Sequence, residues 1–128
     1  MTARIVRLGT SRLRDEGLRI GTVRRPPRGV PKALFATGNW YDVWLPELSP
    51  NEATVKLGLK AADEGDWKKF TRLYEKEMSA SGPSRTLDLL AALSRTADFS
   101  VGCYCVDESR CHRSILRKLL KERGATLR

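Results

Sequence analysis

The chain has 128 residues, enough for one domain around one core. A hydrophobic fraction of 41% with mixed charges describes a globular chain rather than a disordered one. No apolar run approaches the roughly 18 residues needed to span a bilayer, and the start Met1–Leu8 lacks the apolar core of a secretory signal. The formal net charge is +9 and is unevenly spread: nine basic and four acidic groups in residues 1–50, eight of each in 51–100, and seven basic and three acidic in 101–128. A positive surface assembled from the two terminal segments would suit phosphate, carboxylate or nucleic acid, or would simply aid solubility.

In chain order, Arg4–Leu8 and Leu18–Arg24 read as short strands rich in Ile, Val and Leu, divided by the polar Ser11–Gly17. Arg25-Pro26-Pro27-Arg28-Gly29 breaks both ladder and helix and is a loop. Asn39–Trp44 is a further extended piece, with Trp44 expected in the core. Ser49-Pro50-Asn51-Glu52 combines a serine N-cap, proline at the first helical position and a glutamate three after the cap, which starts a helix running to about Asp63. Asp66 caps a second helix, where Trp67, Phe70, Leu73, Tyr74 and Met78 recur every three or four residues before Ser81-Gly82-Pro83 ends it. A third helix spans about Ser84–Thr96. Phe99–Cys105 is the strongest strand, and the last helix turns Ile115, Leu116, Leu119 and Leu120 inward and closes at Gly124. Helices that lead into and out of a strong strand predict a single α/β layered domain over residues 1–128, with a small sheet flanked by about four helices. The short link between the first two strands predicts that part of the sheet is antiparallel, so the sheet is mixed.

All three cysteines and the only histidine lie between Cys103 and His112, in V-G-C-Y-C-V-D-E-S-R-C-H-R. An odd number of cysteines without a signal peptide predicts reduced thiols in a cytoplasmic setting. Cys103 and Cys105 fall on one strand face about 6.6 Å apart, too far for an easy disulfide. With Asp107 or Ser109 as N-cap, Cys111, His112 and Arg113 occupy the first turn of the last helix, where free amides and the helix dipole favour a thiolate or a bound anion. Arg113 is expected near the rim. Three chemistries compete with plain core packing. Cys111 could be a low-pKa nucleophile whose thiolate His112 or an arginine stabilises. The arginines and the helix start could bind an anion. Cys103, Cys105, Cys111 and His112 could hold a metal, although the spacing matches no common zinc framework and adjacent Cys111 and His112 converge poorly on one ion.

These residues resemble the YeaO-like family of unknown function, DUF488, in which a strand ending in cysteine leads through an acidic loop to Cys-His-Arg and a helix. Cys103, Cys111, His112 and Arg113 hold those positions here. The family segment G-x-R-x-L-V-D-R-x-W-P-R-G-x-x-K is echoed by Gly17, Arg19, Arg24, Pro27, Arg28, Gly29 and Lys32. Trp44–Pro50 matches its tryptophan, leucine and proline pattern, and Trp67, Phe70, Tyr74 and Glu77 match a family helix. The chain departs at Val23, where the family has aspartate, at Pro26, where it has tryptophan, and at Cys105, where many relatives have glutamate. The resemblance implies a compact α/β domain whose arginine loop and Cys-His-Arg turn face one cleft.

Together these readings predict a basic pocket for an anionic small molecule, phosphorylated and nucleotide-like first. Arg24, Arg28, Lys32, Cys103 and Arg113 bind the ligand, and Cys111 and His112 are the candidate catalytic pair. Arg28 is expected within about 10 Å of the last helix's first turn, inside the screening length of physiological salt. No metal ligand is assigned, no cofactor is specified and no membrane partner is expected. A nucleic-acid-binding module using the basic terminal segments is the rival reading, and a Cys/His metal-binding protein is a further one. The sequence does not choose between catalysis and binding.

Overall fold

The computed structural model describes residues 1–128. Its strands are β1 (Ala3–Arg7), β2 (Leu18–Gly21), β3 (Val43–Trp44) and β4 (Phe99–Cys103), and its helices are α1 (Glu52–Lys60), α2 (Glu64–Met78), α3 (Ser81–Leu93) and α4 (His112–Glu122). The α/β layered domain is therefore as expected. The sheet is not mixed, however: its order is β1-β4-β2-β3 and every pairing is parallel. β1 and β2 are not neighbours, because β4 lies between them and pairs with both. The link between them also needs no helix. At about 3.3 Å per residue, segment 8–17 reaches roughly twice the length of β1 and returns as extended chain and turns.

Strand alternation divides the sheet's faces. Phe99 and Val101 of β4 and Ile20 of β2 belong to the main core, together with Phe70, Tyr74 and Met78 of α2, Leu87, Leu90 and Ala91 of α3, and Ile115, Leu116, Leu119 and Leu120 of α4. The intervening residues Ser100, Gly102, Arg19 and Gly21 lie on the other face, which loops cover. There Gly102 has no room for a side chain, since a Cβ would stand 2.5 Å from the Val6 carbonyl oxygen, and Gly21 receives the ring of Tyr41.

Several helix starts are shifted. Asn51 caps α1 by accepting from the Thr54 amide, and Asp63 caps α2 by accepting from that of Asp66. The Ser81-Gly82-Pro83 stretch opens α3 instead of ending α2, in keeping with the tolerance of proline in a first helical turn. β4 stops at Cys103, so Cys105 is outside the strand. Trp44 is 39% exposed rather than core, held by its indole N–H donating to the Val23 carbonyl at 2.7 Å.

The loop-covered face is held by an ion pair that is wholly buried. Arg19 donates to Glu16 through Nε at 2.7 Å and through a terminal nitrogen at 2.9 Å, and its other terminal nitrogen donates to the Thr10 and Asn39 carbonyls, both at 2.8 Å. Glu16 also accepts from the Ser100 hydroxyl at 2.7 Å and from the Leu13 amide at 3.2 Å. Burial works to raise the Glu16 pKa, but hydrogen bonds from Arg19, Ser100 and Leu13 outweigh it and hold the carboxyl below its ordinary range. The pair's stabilisation is therefore complete above that range and is lost as pH falls through the folded pKa. Glu16→Ala, which strands a buried guanidinium, should destabilise the fold by about 3–5 kcal/mol in urea unfolding. The double variant Glu16→Ala/Arg19→Met should lose less than the sum of the single variants. A Glu16→Ala loss within experimental error would mean that the loops are held elsewhere.

Candidate functional site

The carboxyl ends of β1, β2 and β4 meet at one edge of the sheet, where open parallel sheets present their ligand crevices. Two adjoining clefts open there, of about 530 and 490 Å³. The larger is walled by Arg7 at the end of β1 and Gly9 and Thr10 after it, by Arg25–Arg28 after β2, and by Trp40 and Tyr104. Its lining holds three arginines and no carboxylate. Trp40 and Tyr104 meet edge to face with ring centroids 6.0 Å apart, and Gly9, at φ +88°, leaves the space that Trp40 fills. The smaller cleft is lined by Arg24, Arg25, Glu52 and Lys56 on one side and by Cys103, Tyr104, Cys105 and His112 on the other. Tyr104 and Arg25 border both clefts, and the Tyr104 hydroxyl donates to the Arg25 carbonyl at 2.8 Å, forming a strut between them.

The predicted site residues are thus gathered at one edge but not in one pocket. Arg28 lines the larger cleft, while Arg24, Cys103 and His112 line the smaller. Lys32, Cys111 and Arg113 line neither. The Arg24 guanidinium donates to the Ser49 and Pro50 carbonyls at 3.0 and 3.1 Å, and Lys32 is exposed on a short 3-10 turn. Arg113 is not at the rim. It is 3% exposed, and one terminal nitrogen donates to the Cys105 carbonyl at 2.5 Å. Residues not singled out from the sequence complete the edge: Arg7, Arg25 and Trp40 at the larger cleft, and Thr22 behind the histidine. Their only sequence signal is position, directly after a strand or between turn residues.

His112 is buried and its protonation state is set by its neighbours. Nε2 lies 2.8 Å from the Thr22 carbonyl, which can only accept, so Nε2 carries the proton. The Thr22 hydroxyl, 3.2 Å from Nε2, donates in turn to the Gly102 carbonyl at 3.0 Å. Nδ1 is left as an acceptor 3.7 Å from the Cys111 sulfur. Burial lowers the His112 pKa to about 4, against the smaller opposing effect of the Thr22 carbonyl. The ring is therefore neutral near pH 7.

The helix start does not yield the thiolate expected at Cys111. Cys111 is the N-cap residue of α4 and is 3% exposed, whereas Cys105 is half-buried in the smaller cleft. The sulfurs of Cys103 and Cys111 are 2.7 Å apart. Hydrogen bonding to Cys105 raises the Cys103 pKa. The Cys103 thiol lowers that of Cys111, but Cys105 and burial overcome this and push it up to about 11. Cys105 moves the other way, its pKa lowered by the neighbouring Cys103 and Cys111 thiols and by the Arg113 charge. The ligating atoms of Cys103, Cys111 and His112 lie within 4.8 Å of one another. Two thiolates on a zinc ion at about 2.3 Å each stand roughly 3.8 Å apart in tetrahedral geometry. The cluster as it stands is a thiol–thiol contact, and a metal would have to spread it.

The histidine generates a pH test. In the unfolded chain it takes up a proton near pH 6.5, while in the fold it resists protonation to about 4. The unfolded state therefore binds more protons between these values, and stability falls as pH drops through that window, by about 3 kcal/mol in all. His112→Asn should abolish this part of the pH dependence of urea midpoints. An unchanged slope between pH 6.5 and 4.5 would show that His112 does not titrate with folding.

No curated protein and no solved structure matches the chain. One family model does, over residues 3–124: that of the active DUF488-N3 subclade. It spans both the loops after β1 and β2 and the Cys-His-Arg segment, so the chain belongs to the DUF488 family.

Proposed function

We propose that the protein binds an anionic, phosphate-bearing small molecule of the nucleotide class at the carboxyl edge of its sheet. The observation that carries this reading is the larger cleft, lined by Arg7, Arg25 and Arg28 beside an aromatic wall with no carboxylate among the lining residues; Arg25 pairs with Glu52, while Arg7 and Arg28 take part in no ion pair. Arginine presents a planar fork matched to phosphate oxygens, and Pro26, Pro27 and Gly29 give the Arg28 loop a fixed course. Trp40 and Tyr104 offer apolar ring surface for a base or sugar. The Cys-His-Arg segment then borders the ligand across the Tyr104–Arg25 strut rather than lining the same cleft.

The rival nucleic-acid reading draws less support, because several arginines of the two terminal segments are engaged in ion pairs within the chain. Arg4 and Arg128 pair with Asp15, Arg12 with Asp42, Arg117 with Glu108 and Arg123 with Asp88.

Isothermal titration with inorganic pyrophosphate and with a nucleoside diphosphate tests the proposal. Binding should weaken about tenfold or more in Arg28→Ala and in Arg7→Ala, the loss expected for one charge-assisted hydrogen bond of about 1.5–3 kcal/mol. Lys121→Ala, on the exposed last turn of α4, should bind as the wild type does. Equal weakening in all three variants, with steep salt-dependent binding to single-stranded or duplex nucleic acid, would instead favour the rival.

A further inference from the structure

Arg113 is buried, its Nε has no hydrogen-bond partner, and it takes part in none of the molecule's ion pairs. An uncompensated buried guanidinium is costly, so a counter-charge is expected beside it. Its charge reaches Asp107, Glu108 and Cys105; Asp107 is exposed and Glu108 pairs with Arg117, whereas the Cys105 carbonyl accepts from Arg113 itself. Cys103 and Cys105 both line the open smaller cleft, but of the three thiols only Cys105 is not fully buried. Behind it, Cys103 and Cys111 are in contact at 2.7 Å, about 0.65 Å beyond a disulfide bond length.

We propose that these three cysteines form a thiol redox centre for hydroperoxides, in which Cys105 is the entry nucleophile and Cys103 and Cys111 store the oxidising equivalent as a disulfide. The Cys105 thiolate attacks one peroxide oxygen. A sulfur–oxygen bond forms, the oxygen–oxygen bond breaks, and the leaving alkoxide or hydroxide takes a proton from water, which leaves a sulfenic acid on Cys105. The Cys111 thiol, its proton accepted by His112 Nδ1, attacks the sulfenic sulfur, and hydroxide leaves with that proton as water. The neighbouring Cys103 loses its proton to solvent and attacks the Cys111 sulfur of this disulfide, expelling Cys105 as thiolate. In sum, Cys103 and Cys111 give up two electrons and two protons, the peroxide is reduced to water plus an alcohol or a second water, and Cys105 is regenerated. An external dithiol returns the electrons. Nothing in this sequence requires a ligand in the arginine cleft.

The test is to treat the reduced, full-length protein with one equivalent of hydrogen peroxide, quench with N-ethylmaleimide and map the peptides. The wild type should keep one alkylatable thiol, Cys105, and yield a Cys103–Cys111 cross-linked peptide, at least tenfold faster than a free cysteine peptide is oxidised at the same pH. Cys105→Ser should slow oxidation tenfold or more. Cys111→Ser should stop at a Cys105 sulfenic acid that dimedone traps. The proposal is overturned if all three wild-type thiols stay alkylatable, if the final disulfide includes Cys105, if Cys105 over-oxidises without any disulfide, or if Cys105→Ser oxidises as fast as the wild type. The wild-type map decides the matter even if a variant fails to fold.

Discussion

A guanidinium and a carboxylate closed off from water beneath a β-sheet must satisfy one another and nearly every remaining lone pair, or the fold loses several kcal/mol. Glu16 and Arg19 meet that demand by recruiting groups from distant parts of the chain: the Ser100 hydroxyl on β4, the Leu13 amide, and the Thr10 and Asn39 carbonyls. The Arg19 amide in turn donates to Asp42, which is also held by Arg12. One ion pair thereby ties the segment after β1 to the segment before β3 and both to the central strand. Thr10 at one end of this network and Asn39 at the other flank Gly9 and Trp40, so the wall of the larger cleft inherits its shape from the pair.

The second organising element is β4, all five of whose residues are buried. Its parallel pairing with both β1 and β2 brings three strand ends to one edge, and the chemistry-bearing residues follow directly from those ends. Thr22 fixes the His112 tautomer because β2 and β4 are in register, the Thr22 amide donating to Gly102 at 2.9 Å. Cys103 ends β4 and Cys111 caps α4, so the loop between them folds back and brings two sulfurs separated by eight residues into contact. Tyr74 of α2 closes the rear of this cluster with its ring edge-on to His112, its centroid 5.5 Å away, which excludes water and keeps the imidazole neutral.

Charge is divided by position. Arg12 and Arg123 on the outside of the fold are neutralised by acidic partners, Arg19 is used for structure, and Arg113 is buried against the Cys105 carbonyl. At the carboxyl edge Arg7, at the end of β1, and Arg28, in the loop after β2, take part in no ion pair. A helical coat on one face and loops on the other explains this division: helix starts require caps and turns of their own, whereas the loops are free to carry arginine and proline.

The amino-acid sequence determined, by local physics, that helices would lie near residues 52–60, 64–78 and 112–122, since apolar periodicity and polar caps act within a few residues. The clustering of every cysteine with the only histidine, after a buried strand, was equally legible. The parallel sheet was not, because it depends on β4 inserting between β1 and β2, a pairing across about eighty intervening residues that no local pattern encodes. The division of the predicted pocket into two clefts, with Arg28 in one and His112 in the other, follows from that topology and from the Tyr104–Arg25 strut. The protonation order of the thiols was likewise decided in three dimensions. Cys103, Cys105 and Cys111 are alike in sequence, and only burial, the Arg113 charge and their mutual proximity lower the pKa of Cys105 and raise those of Cys103 and Cys111.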